Sequence, residues 1–183
     1  MAVAKKAWTY ADLLDIPEDI SKRYEIIDGE LYVSPSPRLP HQRNLVRLAD
    51  FLRPAEEAGK GVRYTGPVDV VLDDGNVFVP DLVFISTERV AIAQETHIHG
   101  APDLVVEVLS PSTKHRDLGV KLETYARHGV RFYWVVDTYS RSIQVFELQE
   151  QGGFAEPRLL EGDDLLSCPL FPELTIRTAE LFS

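Results

Sequence analysis

Cysteine occurs once, at Cys168, which excludes an intrachain disulfide and a multi-cysteine zinc site and argues against thiol redox chemistry. Long apolar runs are missing too. None reaches the roughly 18 residues needed to span a bilayer, and residues 1–10 hold no apolar stretch suited to a secretory signal. A soluble cytoplasmic protein with no membrane partner is expected. Positive charge is scarce: 19 Lys and Arg stand against 29 Asp and Glu, for a formal net charge of −10. Such a surface repels a polyanion and argues against indiscriminate nucleic-acid binding, unless cations cluster locally or a divalent ion offsets gathered acids. One cluster is present, Arg38, His41, Arg43, Arg47 and Arg53, with Asp50 its only acid.

What the chain does have is apolar content, 44% of 183 residues, enough for the core of one domain over residues 1–183. Trp8, Tyr10, Leu13 and Leu14 recur near helical spacing before Pro17 and predict a short packing helix. Asp28-Gly29 between two apolar runs predicts an N-terminal β-hairpin over residues 24–33, and Asp73-Asp74-Gly75-Asn76 predicts a second one. Leu45, Leu48, Ala49 and Leu52 give a helical stripe from His41 onward, ending near Gly59 or Gly61. Arg43 and Arg47 lie on another face of that helix, either as a solvated surface or as a ridge for phosphate. A second helix is predicted over residues 114–128, with Leu118, Leu122, Tyr125 and Ala126 inward and Gly129 as its cap. Strands are expected at residues 131–137 and 143–148, and a tail from Gly152 finishes the sheet. The strand-helix-strand unit from Leu104 to Val136 should be parallel and right-handed, within an α+β domain built on a mixed sheet.

The stretch Pro102 to Thr113 puts Glu107 inside the run Leu104, Val105, Val106, Val108, Leu109, which reads as a central strand buried on both faces. An unpaired carboxylate there would cost several kcal/mol, so a side-chain cation, a proton or a metal ion must compensate it. Asp81 is similarly embedded, because Pro80 interrupts Val77 to Ile85 at an edge or bulge. On neighbouring strands about 4.8 Å apart, the two carboxylates could hold one hard cation, Mg²⁺ or Mn²⁺ in its place. Phosphodiester hydrolysis draws on that chemistry. Glu30 could add a carboxylate or be a solvated hairpin residue, and Asp103, roughly 13 Å along the strand from Glu107, belongs to the strand entrance. His97 and His99 read as loop residues rather than a transition-metal pair.

The ordered set Tyr24-Glu25-Ile26-Ile27-Asp28-Gly29-Glu30-Leu31, Pro80-Asp81, and Ala101 through Thr113 resembles the bacterial restriction-endonuclease family labelled Uma, in the PD-(D/E)XK nuclease superfamily. The likeness continues through Asp117, Lys121, Tyr125, Gly129-Val130 and Tyr133 to Asp137. It implies a restriction-endonuclease-like mixed β-sheet core flanked by helices, and metal-dependent cleavage of nucleic acid, with Asp81 and Glu107 at the two acidic motif positions. The superfamily carries Lys two residues after the second acid, where this chain has Leu109. The resemblance instead places that lysine on the following helix, at Lys121, which would orient the attacking water or stabilise developing charge. Without the resemblance, Asp117 and Lys121 read equally well as a surface ion pair.

The leading reading is a Mg²⁺-dependent endonuclease acting on DNA, with Asp81, Glu107 and Glu30 at the metal, Lys121 assisting attack, and Arg43 and Arg47 on substrate phosphates. A homodimer would suit symmetric cleavage of a duplex. The competing readings are a non-enzymatic nucleic-acid- or protein-binding module whose carboxylates are satisfied by Lys121, and a phosphoesterase with another substrate.

Overall fold

The computed structural model describes residues 6–17, 19–36, 39–110 and 113–182. Arg38 of the basic cluster, with Pro111 and Ser112 of the central motif, lies outside them. Helix α1 (Tyr10–Leu14) is opened by a capping box between Thr9 and Asp12, and although it packs against a sheet its Leu14 is 68% exposed. Strands β1 (Lys22–Ile27) and β2 (Glu30–Pro35) form the expected hairpin, with Asp28 and Gly29 both at positive φ as a tight two-residue turn requires. Helix α2 (Leu39–Glu57) begins two residues ahead of His41, because Pro40 in the first turn has no N–H to leave unpaired. Its inward stripe is Leu45, Leu48, Leu52 and Ala55.

Next come β3 (Gly61–Thr65), β4 (Val70–Asp73), β5 (Asn76–Phe78) and β6 (Leu82–Ser86), then a 3-10 turn at Thr87–Ile92. Then follow β7 (Ile98–His99), β8 (Leu104–Val108), α3 (Lys114–Asp117), α4 (Val120–Arg127), β9 (Phe132–Asp137) and β10 (Ser142–Glu147). The tail holds β11 (Arg158–Glu161), β12 (Leu165–Ser167), β13 (Thr175–Arg177) and α5 (Thr178–Leu181).

The expected single mixed sheet is two. A six-stranded sheet runs β11-β10-β9-β8-β6-β3, and a five-stranded sheet runs β2-β1-β5-β4-β7; β12 and β13 pair separately. Each large sheet has one parallel pair, β8 with β9 and β4 with β7. Pro80 explains the division. Lacking an N–H, it ends the ladder between β5 and β6, and the chain crosses there from one sheet to the other, with Asp81 at the crossing.

Alternation along β8 assigns its two faces. Leu104, Val106 and Val108 join α2, Trp134 and Phe171 in one core, while Val105 and Leu109 join Tyr125, Tyr133 and Phe78 in the other, between the sheets. Glu107 shares parity with the second set and therefore points at α4 and the five-stranded sheet. Asp103, at the entrance of β8, is fully buried and accepts from the Ser86 N–H at 2.8 Å and from Arg89 at 3.0 Å. Burial alone would raise its carboxyl, but those partners outweigh it and hold it below the usual carboxylate range.

The predicted helix over residues 114–128 is broken at Gly119, whose φ of −121° and ψ of −108° separate α3 from α4. A Cβ there would come within 2.7 Å of the His115 carbonyl oxygen. The break also corrects the inward face. Tyr125 is buried as expected, but Leu118, Leu122 and Ala126 are only partly buried, whereas Asp117, Lys121 and Thr124 are buried. A surface position for the Asp117–Lys121 pair is thus overturned.

Candidate active site

Register brings the two embedded acids together. Leu82 of β6 faces Val106 of β8, so Asp81 stands one step on, opposite Glu107, and its Oδ2 accepts from the Val108 N–H at 2.8 Å. The other partners of Asp81 are Arg23 from β1, at 2.7 Å from Oδ1, and His41 Nε2 from α2, at 2.9 Å from Oδ2. Burial alone would raise this carboxyl, but His41 and Arg23 outweigh it and hold it below the usual carboxylate range. Three of the roughly four lone-pair sites of the carboxylate are thereby used.

Glu107 meets a different set. Lys121 Nζ lies 2.9 Å from its Oε1, and the Tyr125 hydroxyl donates to the same oxygen at 3.2 Å. The ammonium also lies 2.8 Å from Glu25 Oε1 and 3.3 Å from Asp117 Oδ1. Glu25 is fixed in turn by the Val79 N–H at 3.1 Å. Buried Asp117 Oδ1 accepts no well-formed hydrogen bond, so its contact with Lys121 is chiefly electrostatic. Glu25, Asp81, Glu107, Asp117 and Lys121 are all under 5% exposed, yet all line a cavity of about 500 Å³.

Charge in this cavity does not balance. Four carboxylates line it against three cations, Lys121 and Arg23 at the floor and Arg141 in the wall, with the His41 imidazole beside Asp81. Burial, followed in effect by Asp117, Asp81 and Glu25, pushes the Glu107 carboxyl well above the carboxylate range against the pull of Lys121. Burial would lower the Lys121 ammonium, but Glu107, Glu25 and Asp117 outweigh it and hold its pKa well above the ordinary lysine value. The cage therefore favours a charged lysine and disfavours a full set of ionised acids.

The hard oxygen donors and the negative excess fit a divalent cation such as Mg²⁺ or Mn²⁺. Among the described residues no three His, Cys, Asp or Glu side chains are already gathered as a metal cluster. Ligation by one or two carboxylates, with water and phosphate oxygens completing the shell, is the arrangement Mg²⁺ commonly takes.

Other expected residues lie elsewhere. Glu30 is exposed at the hairpin turn, accepts from the Tyr32 hydroxyl at 3.3 Å and does not line the cavity; Glu25, five residues earlier, is the β-hairpin acid that reaches Lys121. Arg43 is exposed, and Arg47 donates to the Glu180 carbonyl oxygen at 3.3 Å. Neither arginine lines the cavity, which α2 reaches with His41 and Asn44 instead. Lys114 pairs with Asp137 at 3.0 Å. His97 lies in the loop before β7, against the Tyr10 ring, whereas His99, expected in a loop, is in β7 itself. Cys168 is buried, its thiol pushed up to about 12 by desolvation, and it packs in the core. No helix of the described residues is long and apolar enough to cross a membrane.

Glu25, Asp117, Arg23 and His41 were not singled out as site residues by the sequence. Period-2 alternation carried a signal for two of them: Arg23 and Glu25 share a strand face with Ile27, which is buried.

Compared with known proteins, residues 10–179 match the model of the Uma2 family, described as "Putative restriction endonuclease". No curated protein matches the chain. A solved structure described as a putative nuclease belonging to DUF820, from Anabaena variabilis, has a TM-score of 0.79 and 22% identity, covering 95% of this chain and 97% of its own. That likeness shows a shared fold: the restriction-endonuclease-like α+β architecture expected from the sequence.

Proposed function

The chain belongs to the Uma2 family of putative restriction endonucleases, and from that membership we propose that it is a metal-dependent endonuclease hydrolysing phosphodiester bonds of DNA. The observation that carries the reading is the convergence of Asp81, Glu107 and Lys121 in one cavity whose acids outnumber its cations. Asp81 and Glu107 would hold Mg²⁺, or Mn²⁺ in its place. When bound, the ion supplies positive charge at the phosphate oxygens and a more acidic water.

The protein's own groups then have separate tasks. Arg23, His41 and the Val108 N–H fix Asp81 in its ionised form, as a ligand must be. Tyr125 and Lys121 fix Glu107. Lys121 keeps its proton, so it serves as a hydrogen-bond donor that orients the attacking water and stabilises charge developing on the phosphoryl oxygens. Arg43 and Arg47, one turn apart on α2, would contact flanking phosphates outside the cavity.

One observation favours a second reading. Lys121 already contacts three carboxylates, so the cage could be closed without metal, leaving a binding module on the same fold. The two readings part on turnover. Labelled DNA should be cleaved in Mg²⁺ or Mn²⁺, not in EDTA, and Asp81→Ala should lose that cleavage. Binding of DNA without turnover in either metal would favour the module.

A further inference from the structure

The acids that would do the chemistry are at the floor of the cavity: Asp81 is 2% exposed and Glu107 4%. A volume of about 500 Å³ falls in the range that encloses a small molecule, which is the scale of a nucleotide unit rather than of a duplex segment. A base can enter a pocket of that size only from a single strand or after being turned out of the duplex stack.

The lip of the same cavity carries an aromatic side chain that the proposed chemistry leaves unused. Tyr139, on the turn between β9 and β10, lines the cavity while being 76% exposed. Its turn is braced: Asp137 Oδ1 accepts from the Tyr139 N–H at 2.9 Å and the Ser140 N–H at 3.3 Å, and Lys114 holds the other carboxylate oxygen at 3.0 Å. An exposed ring on a fixed support exposes apolar area to water with no folding gain. Pro35, Pro40 and Phe182 add apolar wall, and Arg141, whose guanidinium donates to the Phe182 carbonyl oxygen at 3.4 Å, adds a positive charge to the cavity lining.

We propose that this site takes an unpaired nucleic-acid strand, with a base stacked on Tyr139 and its phosphate carried down toward Glu107 and Lys121. The inference rests on the nuclease reading for its ligand class. It goes beyond that reading by selecting single-stranded, frayed or flipped substrate over intact duplex. Stacking suits this task because every base presents a π-face, so recognition tolerates sequence. Arg141 would neutralise the phosphate of the stacked nucleotide, offsetting the repulsion expected from a chain of net charge −10.

The test uses the full chain with 2-aminopurine oligonucleotides, single-stranded and as a blunt hairpin duplex, in Ca²⁺ to measure binding and in Mg²⁺ or Mn²⁺ to measure cleavage. The single strand should bind at least about tenfold more tightly than the duplex with quenching of the probe, Tyr139→Ala should weaken single-strand binding about tenfold or more, and Tyr139→Trp should retain it. Equal binding of duplex and single strand, or an unchanged Tyr139→Ala, overturns the inference even if DNA is cleaved. If the binding pattern holds and nothing is cleaved in either metal, the inference stands and the nuclease reading falls. Binding of no oligonucleotide overturns it together with that reading.

Discussion

Glu107→Gln is expected to lose DNA cleavage by about a hundredfold or more while keeping the fold, and to match or exceed the wild type in thermal stability. The two effects have one cause. Burial and three neighbouring acids raise the Glu107 carboxyl, so its ionised form is disfavoured in the folded protein relative to the unfolded chain. A group with a raised folded pKa contributes its stability below the unfolded value, near the ordinary 4.5, and that contribution is lost as pH rises through the folded value. At neutral pH the wild type has therefore lost stability that a neutral amide does not lose. Glutamine can still accept from Lys121 and Tyr125, but it brings no charge to a cation. Cleavage assays alongside thermal unfolding check the pair of outcomes. A stable Glu107→Gln variant with wild-type, metal-dependent cleavage would remove Glu107 from the chemistry.

Lys121→Met carries the larger structural effect. The ammonium is 3% exposed and lies within 3.3 Å of oxygens from Glu25, Glu107 and Asp117, so its removal leaves three buried carboxylates facing one another. Breaking a buried charge cluster by deleting one partner typically costs about 3–5 kcal/mol, and urea unfolding at pH 7 should read a loss of that order. The raised lysine pKa sets the pH window. Its contribution is complete below the unfolded value of 10.5 and is lost as pH rises through the higher folded value, so the wild type should converge on the variant only at strongly alkaline pH. Adding Glu107→Gln to Lys121→Met should recover part of the loss, because the removed carboxylate is one of those left unpaired. A Lys121→Met protein as stable as the wild type would show that the acids do not depend on the ammonium.

Which parts of this cage could be read from the chain depends on how each residue reaches it. Glu107 was legible because an acid in an unbroken β-branched strand has no polar side to turn to, and Asp81 because Pro80 marks where a ladder must stop. The N-terminal hairpin followed from Asp28-Gly29, whose positive φ values the turn needs. Lys121 was visible as a residue but not as a buried one. Of the apolar stripe Leu118, Leu122, Tyr125 and Ala126 only Tyr125 is fully buried, and the usual preference for burying apolar residues leaves Asp117 and Lys121 outside, where the structure buries them. That polar pair faces inward because β1 and β8 supply matching acids, an arrangement set by tertiary contacts between segments far apart in sequence. Glu25 was hidden by the same distance, 96 residues from its lysine.

The separation into two sheets was the least legible feature. Strand signals record that a segment is extended, not which neighbour it pairs with, and β5 and β6 are consecutive runs in one apolar stretch. The division nevertheless makes the site, since the five-stranded sheet brings Arg23 against Asp81, at the head of β6, and Glu25 against Lys121, which also holds Glu107 of β8. The cavity is a product of that closure rather than of any single motif.

Calorimetric titration of Mn²⁺ into the wild type, Asp81→Asn and Glu107→Gln, each with a DNA oligonucleotide present and folding verified by circular dichroism, tests the metal assignment most directly. The account predicts saturable binding to the wild type and its loss in both folded variants. A wild type that takes up no ion even with the oligonucleotide would contradict it, and the buried acids would then be the structural partners of Lys121 and Arg23.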